Sequence, residues 1–99
     1  MLYAIMAEDI ANSLELRHKA RAAHLERAQQ LIHEGRLIFA GPHPAVDDDH
    51  PGDAGYTGSL IIAEFSCLAD AKQWAESDPY TDAGVYAKIT VKPVKQVLP

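Results

Sequence analysis

Two short segments, LYAIMA (2–7) and SLIIAEF (59–65), are apolar at both odd and even positions. A strand with one wet face alternates apolar with polar residues, so a strand apolar at both parities must be covered on both faces. These two segments therefore belong in the middle of a sheet. The remainder of a 99-residue chain has to supply their neighbours and their cover. That length holds one ordinary domain and one core.

The segments between them follow from caps, breakers and periodicity. Asn12 or Ser13 caps a long helix running from about Leu14 to Glu34 and closed by Gly35. RLIFAG (36–41) is a second strand, followed by a loop, PHPAVDDDHPGDAGY, rich in Pro, Gly and Asp. TGSLIIAEF (57–65) forms the third strand, LADAKQWAES (68–77) a second helix and VYAKITVKPV (85–94) the fourth strand. The order is βαββαβ, the split arrangement of an α+β, ferredoxin-like fold with a four-stranded antiparallel sheet and two helices on one face. In that arrangement the first and third strands are central, as their composition requires. The last strand sets Ala87, Ile89 and Val91 against Lys88, Thr90 and Lys92, and carries Pro93 near its end, which suits an edge. Two helices cover one face only. A second copy of the chain is the simplest cover for the other, so a homodimer packed sheet to sheet is expected.

The bulk composition removes several classes of function. A formal net charge of -5 opposes general nucleic-acid binding, which requires a cationic surface. No apolar run approaches the roughly 20 residues of a membrane span, and Met1 leads into LYAIMAED without a basic leader. The single cysteine, Cys67, permits no internal disulfide and reads as a buried structural thiol. A soluble protein of a reducing cytoplasm fits these features.

The first helix carries polar residues where apolar ones belong. At about 100° per residue, Leu14, Arg17, Arg21, His24, Ala28, Leu31 and Ile32 share one inward arc, while Lys19, Glu26, Gln30 and His33 point to water. Buried arginine and histidine need partners. Either the helix overhangs the sheet and these side chains snorkel outward, or they line a pocket with a positive rim. Asp78 poses a matching question. Before Pro79 it is a good helix cap, with YTDAG as one short turn ended by Gly84. A residue preceding proline is also held extended, which fixes the direction of its carboxylate. An acid so placed beside His24 would orient the imidazole for proton transfer.

R-x-x-x-R-x-x-H at Arg17, Arg21 and His24, followed by AGPHPAVDDD, GYTGS, SDPYTDAGVY and VKPVKQV, resembles the YciI-like (YCII-related) family along the whole chain. That family is similar to the dimeric α+β barrels. The resemblance implies a His–Asp pair in a pocket, here His24 and Asp78. It also implies a relative acting as a dehydrochlorinase on chlorinated hydroxyquinone-type compounds. Gly58 and Ser59 match as well; Gly58 lets a backbone pass closely, Ser59 is a candidate donor to a ligand, and Tyr80 either covers the pocket or packs in the core. The family loop more often reads Gly-Pro-Asn-Pro where this chain has His43, a change expected at the pocket mouth.

Competing sites are weaker. Asp47, Asp48, Asp49 and His50 form a run that reads as a solvated acidic loop, since neighbouring loop residues rarely converge on one metal. Ser13 is a cap without a nucleophile elbow, His18 and His33 are surface residues, and Trp74 packs on the sheet. The expectation is a small enzyme needing no cofactor or metal, in which His24 oriented by Asp78 transfers a proton. The reaction class is elimination, isomerisation or hydrolysis of a small anionic molecule held by Arg17 and Arg21, one of which can instead pair with a carboxylate. The alternative is a non-catalytic ligand-binding or accessory module on the same scaffold.

Overall fold

The computed structural model describes residues 1–99. Its elements are β1 (Leu2–Asp9), α1 (Leu14–His33), β2 (Leu37–Pro44), β3 (Tyr56–Glu64), α2 (Leu68–Glu76), α3 (Pro79–Asp82) and β4 (Tyr86–Val94), with a 3-10 turn at Gly52–Ala54. The strands lie in the order β2-β3-β1-β4 and every pairing is antiparallel, so β1 and β3 are central as their composition demands. No helix is long and apolar enough to cross a membrane.

Strand alternation divides the sheet into two faces. Tyr3, Ile5 and Ala7 of β1 stand beside Ala63, Ile61 and Ser59 of β3 on the helix side. Leu31 of α1 and Phe65 complete the core there with Tyr3, Ile5, Ile61 and Ala63. Each such large apolar side chain contributes about 1.5–3 kcal/mol on burial. Helix α1 lies over the β2 side, while α2 lies over β1 and β4. The opposite face presents Leu2, Ala4, Met6, Leu60 and Ile62, all half-buried with no helix above them, and Phe39, which is 50% exposed.

Four local expectations change. Strand β2 continues through Pro42 and Pro44, where a loop was expected; an edge strand tolerates prolines because their missing N–H groups face solvent. Ile32 is 59% exposed, since Leu31 takes the inward position of the last turn and the next residue sits about 100° further around the axis. Ala87 does not join Ile89 and Val91 inside. The β1–β4 register shifts between Glu8 and Asp9, leaving Ala87 as the extra, exposed residue and setting Tyr86 opposite Asp9. Cys67 is exposed rather than buried, standing at the start of α2.

Helix α1 does end at Gly35. Gly35 N donates to Ile32 O and Arg36 N to Leu31 O, both at 2.9 Å, with Gly35 at φ 71°, a closure that favours a residue without a side chain. The same pair of bonds closes α3 around Gly84 and returns the chain to β4.

Candidate active site

Asp78 serves as both a cap and a partner to His24. Its backbone is extended, at φ -64° and ψ 136°, as proline at the next position requires. Its Oδ1 accepts from Tyr80 N at 2.8 Å, which caps α3. The same carboxylate faces His24 Nδ1 with Oδ1 at 2.8 Å and Oδ2 at 3.0 Å. Capping fixes the carboxylate, and the fixed carboxylate then fixes the imidazole. The Asp78 side chain is 2% exposed and that of His24 12%, so the bond is shielded from water. Hydrogen bonds to a charged group are worth about 1.5–3 kcal/mol each.

One further contact sets the ring. Tyr80, buried at the first turn of α3, stacks on His24 with centroids 3.9 Å apart and planes within 8°. With Nδ1 engaged by a carboxylate, the proton on a neutral ring belongs on Nδ1. Nε2 then carries the lone pair. It has no protein partner and is open to solvent, on a ring that lines a cavity of about 150 Å³. A cavity of that volume suits a single six-membered ring.

The two arginines of the stripe have different roles. Arg17 is enclosed: its Nε and Nη2 grip Asp9 at 2.6 and 2.9 Å, and Nη2 also reaches Gly58 O at 3.0 Å and Ser59 Oγ at 2.9 Å. Side-chain exposures of 6% for Arg17 and 0% for Asp9 make this a buried ion pair. Burial alone would lower the Arg17 pKa, but hydrogen bonding and charge from Asp9 more than offset it, so the guanidinium stays charged. Only its Nη1 remains for a ligand. Arg21, one turn on, has no hydrogen-bond or ion-pair partner, is exposed and lines the cavity. Arg21 is thus an unpaired cation in the cavity lining.

The floor is built from residues that strand parity brings together. Ser59 lines the cavity and accepts from the Tyr86 hydroxyl at 3.3 Å, while Tyr86 meets Tyr80 edge to face at 5.8 Å. Burial pushes the phenols of both Tyr80 and Tyr86 up from 10.0. Tyr56 and the small residues Ala28, Ala40 and Gly41 complete the wall, which leaves room for a ligand. Gly58 contributes through its backbone: a side chain there would place Cβ 2.2 Å from Ala7 O, so close strand approach excludes one.

Other expected positions fall elsewhere. Ser13 occupies the cap position of α1 without capping it; its hydroxyl donates to Asp9 Oδ2 at 2.5 Å and joins the Arg17 network. His43 pairs with Gly58 and so points to the face opposite Ser59 and the cavity, not to the cavity mouth. Asp47, Asp48, Asp49 and His50 are exposed, and Asp48 Oδ1 accepts from His50 N at 2.8 Å. His18 and His33 are exposed, while Trp74 packs against the core beside Phe65. Asp9, Tyr56 and Tyr86 were not anticipated. For Asp9 a signal existed: it shares the parity of Tyr3, Ile5 and Ala7, which places it inward near Arg17.

Known proteins share this architecture. The solved 5-chloro-2-hydroxyhydroquinone dehydrochlorinase of Burkholderia phenoliruptrix AC1100, in complex with 2,5-dihydroxybenzoquinone, superposes with a TM-score of 0.83 at 30% identity, covering 96% of this chain and 94% of that one. Protein YciI of Escherichia coli O6:H1 is 58% identical over 97 residues, or 98% of this chain and 99% of its own. An uncharacterized protein of Haemophilus influenzae is 55% identical over the same shares of the two chains. A YCII-related domain matches residues 1–95, and the chain belongs to that family.

Proposed function

We propose that this chain is a small acid/base catalyst, independent of cofactors, in which His24 Nε2 moves a proton on an anionic, single-ring hydroxylated compound. The observation that carries this reading is the division of labour on one imidazole: Asp78 occupies Nδ1, while Nε2 has no protein partner on a ring that lines the cavity. Nε2 accepts a proton from an acidic C–H or O–H of the bound ring, and the imidazolium so formed is stabilised by Asp78. For elimination, the electron pair of that bond moves into the ring while the leaving group departs with its own bonding pair. For isomerisation, the proton returns at another ring position. Arg21 holds the anionic oxygen, assisted by the remaining Nη1 of Arg17. The structural neighbour, a dehydrochlorinase holding a dihydroxybenzoquinone, supports a ligand of this class.

The reading includes a homodimer. Leu2, Met6, Leu60 and Ile62 form an apolar sheet face that a second copy would cover, face to face. The test is release of chloride from 5-chloro-2-hydroxyhydroquinone, followed alongside sedimentation. Turnover by the wild-type protein and its loss in His24→Ala, with the dimer retained, is the expected result. Full activity in that variant ends the proposal. Saturable binding of the ring without turnover by the wild-type protein assigns the chain to the binding-module alternative.

A further inference from the structure

Arg27 lies one turn beyond His24 on α1 and outside the cavity lining. Its Nη1 donates to Trp74 O at 3.0 Å, and its guanidinium lies over the Trp74 indole with Cζ 4.4 Å from the ring centroid. The same Nη1 stands 4.0 Å from Asp78 Oδ2, the oxygen that His24 Nδ1 meets at 3.0 Å. Apart from His24, Arg27 is the only cationic side chain within 4.0 Å of Asp78.

Three elements therefore meet at one guanidinium. Trp74 lies in the last turn of α2, and Asp78 follows at the junction to α3. Helix α2 buries Ala71 and Ala75 fully, and Leu68 and Trp74 pack half-buried against the core, so the placement of its C-terminal end runs through Trp74 and the groups bonded there. A cation bonded to a carbonyl at the C-terminal end of α2 is favoured by the helix dipole and adds a directional tether to α1. Tethering that end fixes where Asp78 emerges relative to His24.

We infer that Arg27 is a positioning residue: by joining Trp74 O and Asp78 to α1, it sets the carboxylate at the distance that engages His24 Nδ1. This rests on the reading of His24 and Asp78 as the working pair. The test is proton NMR of the full-length protein with nitrogen-15 histidine, reading the exchange of the His24 Nδ1–H with water; His24→Gln assigns the resonance. Arg27→Met should speed that exchange about two- to fivefold, the scale of a partly exposed charge pair. Arg27→Lys should fall between, because an ammonium lacks the planar fork that serves the carbonyl, the indole and the carboxylate together. Arg36→Met removes another arginine stacked on an aromatic ring, over Phe65, that does not touch Asp78, and should leave the rate unchanged. Wild-type exchange in Arg27→Met, or equal acceleration in Arg36→Met, overturns the inference. A wild-type protein without a hydrogen-bonded Nδ1–H removes the His24–Asp78 pair itself and the inference with it.

Discussion

Replacing Arg17 with methionine leaves Asp9 as a carboxylate with no solvent exposure and one remaining donor, Ser13 Oγ. It also strips Gly58 O and Ser59 Oγ of a guanidinium bond, although Ser59 keeps the Tyr86 hydroxyl. Removing one member of a buried pair costs about 3–5 kcal/mol, because the other charge stays desolvated and unpaired. That is a large share of the roughly 5–15 kcal/mol that holds a domain folded. Urea unfolding followed by Trp74 fluorescence at one protein concentration reads the effect, since Trp74 is the only tryptophan and packs on Phe65. With slopes of about 1–3 kcal/mol per molar urea, the midpoint should fall by roughly 1 M or more. The double variant Asp9→Asn/Arg17→Met removes both charges and should be more stable than Arg17→Met alone. A single variant within about 1 kcal/mol of wild type, or a double variant worse than the single, would refute the assignment of Arg17 as a buried structural cation.

Gly58→Ala forces a methyl against Ala7 O, a predicted contact of 2.2 Å. It should cost about 1–3 kcal/mol in the same urea assay, the usual penalty for overpacking. The phenols of Tyr80 and Tyr86 are raised from 10.0 by burial, so the folded protein keeps these protons at a pH where the unfolded chain has released them. Their contribution to stability is complete below pH 10.0 and is lost as the pH climbs toward the folded values. Denaturation midpoints taken at rising alkaline pH should therefore decline, and less steeply in Tyr86→Phe.

The fold was legible because the two both-parity strands admit only central places, and because Gly35 and Gly84 end helices wherever they stand. The His24–Asp78 pair was half legible. An acid before proline and a histidine on an inward stripe are local facts, but their meeting depends on how α3 packs against α1, which no local pattern encodes. Of the overhang and pocket alternatives, the pocket describes both arginines, since both line the cavity: Arg21 is exposed there, and Arg17 turns in to Asp9. Parity pointed to Asp9, yet a charge after an apolar strand reads most simply as a strand end. Tyr86 was hidden by the bulge at Ala87, which shifts the parity of Tyr86, the one residue before it in β4. His43 was misplaced for a related reason, since the strand extends through two prolines and its faces alternate to the end.

The central claim, that a ring-shaped anion sits between the free nitrogen of His24 and Arg21, is tested most directly by a crystal structure of this protein with 2,5-dihydroxybenzoquinone. The account predicts the ring inside the cavity, with an oxygen or acidic carbon about 2.6–3.2 Å from Nε2 and an oxygen turned toward Arg21. A ring bound elsewhere, with His24 Nε2 facing open solvent and Asp78 released from Nδ1, would contradict it.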